Sequence, residues 1–349
     1  EAIDYTRTRL SSEEDSHVIK AFFAHHQGMS LVSLNNFLHA GVMQDRFHAD
    51  PSIKATELLL HERFPDRVPA IVPHQAELSL LETGVDEERA PRGEVLKTAH
   101  TRFPRTRLLS NGRYSVLLDN AGSGWSFFDR DVSLTRWRED LVSNQYGYYI
   151  FVRDLDSGKL WSVAFQPTRV EQDYYEVIFN PDKVEFKRRD FGISVHTEIT
   201  ISPEDNVEVR RVTVKNLSSR RRNIELTSYA EVALMHYKAD AAHPAFAKMF
   251  IESEFVEEFD TLLFSRRPRS VHEQRFYMIH MVSQGVCWGR TEYESSRAEF
   301  LGRGNSINHP EIFKAESPLS GTTGAILDPI FSLRSRLEIE PGGSETLTI

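Results

Sequence analysis

The sequence contains a single cysteine, Cys287, among 349 residues, which excludes an internal disulfide framework and is compatible with a reducing compartment. No apolar run approaches the ~20 residues of a membrane-spanning helix, and no signal peptide is visible. Basic residues are not in excess, because 42 Lys and Arg stand against 51 Asp and Glu and the net charge is −9. A nucleic-acid binder would carry a basic surplus, so nucleic acid is not a predicted partner.

Hydrophobic residues make up 40% of the sequence, which is ample for a large core and for more than one structural unit. The sequence starts at Glu1 without a methionine, and it stops at Ile349 in a pattern typical of a strand interior. We therefore expect it to be a piece of a longer protein.

The N-terminal region has helical patterning. Hydroxyl and acidic side chains at 11–14 predict a helix start, and apolar residues recur at helical spacing over 18–38. Gly28 interrupts this spacing, which predicts one bent helix or two helices. Asp50 and Pro51 predict the start of a further helix, because an aspartate cap is followed by proline at the first helical position.

Strand patterns dominate from about residue 100. Apolar and polar residues alternate over 193–201, and a hairpin is predicted at Asp156-Ser157-Gly158. The alternation changes phase at Arg210-Arg211, which predicts a β-bulge. Hairpins without long intervening helices predict a mainly β fold with a large antiparallel sandwich.

These patterns divide the chain into three predicted segments. Residues 1–65 form a small α-helical unit, and residues 99–349 form the β-sandwich domain. Residues 66–98 carry prolines and acids with little periodicity, so they are predicted to be a linker.

Aromatic and arginine residues are concentrated between 122 and 140. They are Trp125, Phe127, Phe128, Arg130, Arg136, Trp137, Arg138 and Asp140. A pyranose has apolar C–H faces that stack on aromatic rings and hydroxyls that bond to arginine and carboxylate groups, so this segment can contact sugar. The alternative is a buried aromatic core whose arginines are paired at its edge. The run from Arg136 to Asp140 can also satisfy its own charges, because alternate strand residues share a face.

Several segments resemble, in order, the β-sandwich domain of glycoside hydrolase family 94, and more closely that domain of the cyclic β-1,2-glucan synthases. They are LLSNGRY, GSGW and TRWRED, then VEVRRVTVKN at 207–216, HPAFAKMF at 243–250, RRPRS at 266–270, FLGRGN at 300–305 and LSGTTGAILDPI at 319–330. The upstream EAIDYT, AHHQGMSLVSL and RFHADPSIKATELLLHER resemble the end of the glucoamylase-like domain that precedes the sandwich in those synthases.

The resemblance implies a supersandwich of the galactose-mutarotase type. It also implies that the catalytic groups come chiefly from an α/α barrel that follows the sandwich, so no catalytic residue is assigned here. We expect a non-catalytic module that packs on that barrel and helps to shape the site for a β-1,2-glucan or related glucose oligosaccharide. The predicted glycan-contacting residues are Trp125, Arg136, Trp137, Arg138, Asp140 and Arg303. The bacterial parent is expected to be cytoplasmic and attached to the inner membrane.

Two alternatives remain. Exposed Trp and Arg side chains at 125–138 could make a self-sufficient carbohydrate-binding module. Glu231 and His243 could serve a mutarotase-like epimerase, since acid–base ring opening uses a histidine and a carboxylate.

No metal or cofactor is predicted. His25 and His26 are adjacent on a helix and point about 100° apart, so they do not readily share a metal. Candidate carboxylates are expected to pair with nearby arginines rather than act as catalytic acids: Asp129, Asp131, Asp140, Glu231 and Asp328.

A module cut from its barrel should retain an exposed apolar patch. We expect the patch near 122–140 and 300–328, where it would include Phe300, Leu301, Leu319 and Ile326. The helical unit is expected to show a comparable exposed face.

Overall fold

The computed structural model describes residues 2–4, 16–19, 23–56, 93–140, 142–269, 273–283, 287, 289–314 and 318–349. The chain divides into two compact units, Glu1–Glu88 with Ser270–His272 and Arg89–Arg269 with Glu273–Ile349. Across the described ranges, no helix is both long enough and apolar enough to cross a membrane.

The described part of the first unit contains a short two-stranded sheet followed by helices. The elements are β1 (Ala2–Asp4), β2 (His17–Ile19), α1 (Ala24–Leu38), α2 (Val42–His48) and α3 (Pro51–Thr56). Strands β1 and β2 pair antiparallel, so the prediction of helix at residues 18 and 19 is wrong. Helix α1 runs through Gly28 without a break, which excludes two helices at this point, because one glycine costs a helix only about 1 kcal/mol. The predicted helix start at Pro51 is confirmed.

Helix α1 has no buried residue. Its apolar side chains include Leu31, which is 67% exposed, and Phe37, which is 85% exposed. The expected exposed apolar face of the helical unit is therefore present. His25 and His26 pack edge to face, with ring centroids 4.1 Å apart.

The second unit consists mainly of strands. In chain order these are β3 (Glu94–Leu96), β4 (Thr106–Ser110), β5 (Tyr114–Asp119), β6 (Gly124–Phe128), β7 (Val132–Thr135), β8 (Tyr149–Asp154), β9 (Leu160–Ser162), β10 (Tyr174–Phe179), β11 (Lys183–Asp190), β12 (Ile193–Ile201), β13 (Glu208–Asn216), β14 (Arg222–His236), β15 (Ile251–Val256), β16 (Thr261–Arg266), β17 (Tyr277–Met281), β18 (Glu292–Ser296), β19 (Gly324–Ala325), β20 (Pro329–Ile339) and β21 (Ser344–Thr348). Short helices connect some of them: α4 (Tyr237–Ala242), α5 (Pro244–Lys248) and α6 (Arg297–Leu301), with 3₁₀ turns at Glu257–Phe259 and Glu311–Phe313.

The strands form antiparallel sheets. A six-stranded sheet has the order β21-β13-β12-β11-β10-β3, and a nine-stranded sheet has the order β18-β20-β14-β7-β6-β5-β4, with β8 paired to β14 and β9 paired to β8. A four-stranded sheet has the order β17-β16-β15-β19. The predicted alternation over 193–201 and the hairpin at 156–158 are confirmed as β12 and as the β8–β9 connection.

The main core lies between the two larger sheets. Val195 of β12 and Val214 of β13 pack with Leu226 of β14 and Leu337 of β20 in one buried cluster. The side chains that face this core recur at every second residue, as expected when one face of each sheet is buried. The predicted mainly β, antiparallel supersandwich is therefore confirmed.

The β-bulge predicted at Arg210-Arg211 is wrong. Strands β12 and β13 keep one register throughout, with Arg210 opposite Ile199 and Val212 opposite Thr197. Arg210 lies on the buried face, where its Nε donates to Glu208 Oε1 over 2.6 Å. The pattern changed phase only because a buried, paired arginine was counted as a solvent-facing residue.

The apolar patch expected at 300–328 is also wrong in most of its members. Phe300, Leu301 and Leu319 are buried, and Ile326 is half-buried. Phe300 and Leu301 cover the outer face of the nine-stranded sheet, where they pack with Phe151 of β8. Strand β8 is buried on both faces for this reason.

The predicted linker is only partly described, and residues 57–92 lie outside the described ranges. Glu94–Leu96 at its end pairs with β10 as the edge strand of the six-stranded sheet. The boundaries at residues 65 and 98 stay predictions.

Candidate functional site

Strand β6 places the two aromatic residues of the predicted sugar surface. Asp119 Oδ1 accepts from the backbone N–H groups of Ala121 and Ser123, both over 2.9 Å, and so fixes the turn before β6. Gly124 lets β6 lie close to β5, because a Cβ there would be 2.2 Å from the carbonyl oxygen of Leu117. Trp125 and Phe127 then share one face of β6.

Four rings form an aromatic cluster on this face: Trp125, Phe127, Trp137 and Tyr237. Trp125 stacks on Phe127 with centroids 4.2 Å apart and on Trp137 with centroids 5.6 Å apart. Tyr237, the first residue of α4, contacts both indoles at 5.4 and 6.0 Å. Trp125 Nε1 donates to Ser133 Oγ over 3.1 Å, and all four rings are half-buried. The cluster therefore lies partly in the core and partly at the surface. It is neither the fully exposed sugar-contacting surface nor the fully buried aromatic core that the sequence left open.

An arginine–carboxylate network lies next to this cluster. It consists of Arg136, Arg138, Lys248 and Arg297 with Glu231, Asp240 and Asp328. Arg136 Nη1 is 2.9 Å from Glu231 Oε2, and its Nη2 is 3.0 Å from Asp240 Oδ1. Arg138 pairs with the other oxygen of Asp240. The predicted pairing of Arg136 and Arg138 within their own segment is wrong, because both turn towards α4.

The rest of the network connects α5 and α6 with Asp328, which lies directly before β20. Arg297 Nε is 2.8 Å from Glu231 Oε1, and its Nη1 is 3.3 Å from Asp328 Oδ2. Lys248 also pairs with Asp328. The prediction that Glu231 and Asp328 pair with arginine is confirmed.

Two buried members of the network, Asp240 and Arg136, are held in their charged forms. Burial favours the neutral acid at Asp240, but hydrogen bonds and charge from Arg136 and Arg138 outweigh it and lower the pKa of Asp240. Burial likewise opposes the charge on Arg136, but Asp240 and Glu231 raise its pKa. An ionised carboxylate has no proton to give to a glycosidic oxygen, so Asp240 is unsuited to general-acid catalysis.

Two buried carboxyl groups do have raised pKa values. Burial raises the pKa of Asp119 and of Asp190. Asp119 is bonded within its turn, and Asp190 is paired with Arg188, whose Nε lies 2.6 Å from Asp190 Oδ2. Both groups are thus engaged in holding the fold.

The remaining predicted glycan contacts lie outside the network. Asp140 accepts from the backbone N–H groups of Val142 and Ser143 and thereby caps a turn. Arg303 is exposed on the loop after α6 and forms no hydrogen bond or ion pair with any other described residue. Whether these residues contact glycan stays a prediction.

Asp240, Tyr237, Lys248 and Arg297 were not identified from the sequence. Asp240 lies in YKADAA, a short polar segment that has the composition of a solvated helix. Its partner Arg136 is 104 positions away, so no local spacing could reveal the pair. The neighbouring HPAFAKMF segment was part of the family resemblance, but the resemblance assigned no role to its Lys248.

The mutarotase alternative requires the side chains of Glu231 and His243 to lie close together as an acid–base pair. Glu231 accepts from Arg136 and lies against Arg297, whereas His243 is exposed between α4 and α5. No contact joins the two side chains within the described part of the chain, so the acid–base pair is not assembled.

One group of described residues has metal-ligand spacing: Glu185, His196 and Glu198. Lys183 Nζ lies between its carboxylates, 3.0 Å from Glu185 Oε1 and 2.9 Å from Glu198 Oε1. The lysine thus supplies the positive charge that a metal ion would otherwise bring.

Comparison with known proteins gives consistent matches. Residues 90–349 match the family described as glycosyl hydrolase 94, supersandwich domain. The chain is 35% identical over 343 residues to the cyclic β-(1,2)-glucan synthase NdvB of Rhizobium meliloti. The aligned residues cover 98% of this chain and 12% of that protein. The chain is also 24% identical over 141 residues to the N,N'-diacetylchitobiose phosphorylase of Vibrio proteolyticus. That alignment covers 39% of this chain and 18% of that protein.

A galactose mutarotase-like protein from Clostridium acetobutylicum is 10% identical with a TM-score of 0.34, covering 74% of this chain and 98% of that one. The family match and the sequence relatives confirm the resemblance to the glycoside hydrolase family 94 sandwich domain that the motifs indicated. The structural likeness does not contribute to this conclusion. The chain spans 12 to 18% of the length of the two relatives named above.

Proposed function

Because the chain belongs to the glycosyl hydrolase 94 supersandwich family, we propose that it is a non-catalytic, carbohydrate-associated module of a cyclic β-1,2-glucan synthase. Its role is to pack on a phosphorylase-like α/α barrel of the parent protein and to help shape the glucan site there. The parent would be a cytoplasmic enzyme attached to the inner membrane. The observation that carries the proposal is the half-exposed aromatic cluster beside a network in which every arginine and lysine contacts a carboxylate.

Exposed apolar side chains around the network support the packing role. Leu327, the chain neighbour of Asp328, is 80% exposed, and Met249, the neighbour of Lys248, is 53% exposed. Large apolar side chains grouped at a polar site are typical of a surface that another domain covers.

The chain alone should not catalyse phosphorolysis. Incubation with linear β-1,2-glucan and inorganic phosphate is expected to release no sugar phosphate, because the catalytic groups are expected to come from the α/α barrel and because Arg136 and Arg138 hold the buried Asp240 ionised. A complete family 94 phosphorylase with its own substrate provides the positive control. Sugar phosphate formed in proportion to the chain would contradict the proposal.

Self-sufficient carbohydrate binding is a second candidate function, favoured by the half-exposed rings of Trp125 and Trp137. In a calorimetric titration with β-1,2-linked gluco-oligosaccharides, Trp137→Ala should weaken binding by roughly 1–3 kcal/mol, as expected for the loss of a stacked aromatic. Phe259→Ala is the matched control, since Phe259 is 62% exposed on a turn outside the cluster. Equal affinities for the two variants would leave packing as the role of Trp137.

A further inference from the structure

A cavity of about 710 Å³ lies between the two larger sheets, beside β17. Strand β6 contributes Ser126 and Phe128 to its lining, and β13 contributes Glu208. Its volume falls within the roughly 300–1,000 Å³ range of small-molecule sites. Neighbouring residues of β6 point to opposite faces, so this cavity and the aromatic cluster lie on opposite faces of one strand.

The floor of the cavity is polar, buried and already neutralised. The Glu208 side chain is 6% exposed and 2.6 Å from Arg210 Nη2. Its Oε2 accepts from Ser126 Oγ over 2.8 Å and from Tyr114 Oη over 3.2 Å. The floor therefore offers a fixed polar surface without an uncompensated charge, which suits a neutral ligand better than an ion.

One wall of the cavity is a fixed tyrosine ring. Tyr148 Oη is inaccessible to solvent and has no hydrogen bond to any described residue. Its ring is held by Arg210, whose guanidinium carbon lies 3.8 Å from the ring centroid. Tyr148 therefore contributes its ring to the cavity wall and does not offer its hydroxyl to a ligand.

The outer wall is apolar and open to solvent. Tyr277, Ile279 and Met281 alternate along β17 and are 58, 63 and 49% exposed. At the rim, Asn206, Gln274 and Arg275 supply amide and guanidinium groups. An apolar wall that carries one exposed aromatic ring, with a rim of donors and acceptors, matches a pyranose, which has apolar faces and a ring of hydroxyls.

We propose that this cavity is a second carbohydrate site, which binds a short gluco-oligosaccharide with one sugar ring stacked on Tyr277. The inference rests on the proposed function for the class of sugar. It assigns that sugar to a surface separate from the aromatic cluster. The two surfaces make separable contributions, because their side chains project from opposite faces of β6.

Calorimetric titration of the whole chain with β-1,2-linked gluco-oligosaccharides tests the proposal. Tyr277→Ala is expected to weaken one binding event roughly fivefold or more and to leave the other unchanged. Tyr174→Ala is the matched control, since Tyr174 is 42% exposed on β10 and does not line the cavity. Gln274→Ala, at the exposed rim, is a second variant should Tyr277→Ala not fold. In the unmodified chain, sugar should also slow hydrogen exchange of peptides that cover 274–283.

Unchanged affinity in Tyr277→Ala and Gln274→Ala would overturn the proposal, as would an absence of any sugar binding at millimolar concentration. An effect of Trp137→Ala alone would assign binding to the aromatic cluster and also overturn it. A hydrophobic dye that binds in the cavity and is not displaced by sugar would do the same. The proposed function fails on a different result, the release of sugar phosphate, so the two failures can be distinguished.

Discussion

Asp240→Ala is expected to lower the free energy of unfolding by about 3 kcal/mol or more, as when one partner of a buried ion pair is removed. The Asp240 side chain is 1% exposed and is shared by Arg136 and Arg138. Without it, the buried guanidinium of Arg136 would keep Glu231 but lose its bonds to α4. Urea denaturation of the variant and the unmodified chain measures the difference.

Asp129→Asn is the matched control for this loss, because asparagine tolerates the left-handed φ of +45° at this position. Asp129 lies 3.7 Å from Arg113, and the two side chains are 55 and 66% exposed. Exposed pairs of this kind contribute about 1 kcal/mol or less, so this variant should unfold close to the unmodified chain. If the two variants had the same unfolding midpoint, the network would not stabilise the fold. Tryptophan emission should also change in Asp240→Ala, because α4 carries Tyr237 against both indoles.

The stability of the chain should fall as the pH drops below 6.5, and His280 should be a major cause. Burial, with a smaller effect of Arg210, lowers the pKa of His280 from 6.5 to about 3. Its Nε2 lies 2.8 Å from Ser228 Oγ, and its ring stacks on Phe331 with centroids 4.1 Å apart. The unfolded chain binds a proton below pH 6.5 that the folded chain does not bind, so protonation favours unfolding.

The contribution of His280 is therefore complete above pH 6.5 and is lost progressively down to about pH 3. Over that interval the free energy of unfolding should fall by about 1.4 kcal/mol per pH unit. His280→Gln, which can keep the bond to Ser228 but does not titrate, should flatten this slope between pH 6.5 and 5. His100→Gln should keep it, because the His100 side chain is 54% exposed. Equal slopes for the two variants would exclude His280 as the cause.

Regular strand patterns were the most predictable part of the fold. The alternation over 193–201 identified β12, because one face of that strand is buried and the other is largely polar. The same reasoning failed at Arg210, since a pattern of residue types cannot show that an arginine is buried against a carboxylate. It also failed at Phe300 and Leu301, whose burial depends on Phe151, far away in the chain.

The candidate site was only half predictable. Trp125, Arg136, Trp137 and Arg138 lie close together in the sequence, and the structure keeps them together. The residues that neutralise the arginines come from α4, β14 and the loop before β20, and their positions depend on how the sheet is assembled. Local spacing therefore indicated the right segment but gave the wrong ion-pair partners within it.

Strand β14 has 15 residues and pairs with β8 and β20 in its first part and with β7 in its last part. The register shifts between Val232 and Met235, where the buried Leu234 has a left-handed φ of +48°. Strand β14 is continuous between these two parts of the sheet. If the strand separated from β8 and β20, its pairing with β7 would also lose support, and the reverse also holds. The nine strands should therefore unfold as one cooperative unit, with the fold and the aromatic cluster lost in the same step.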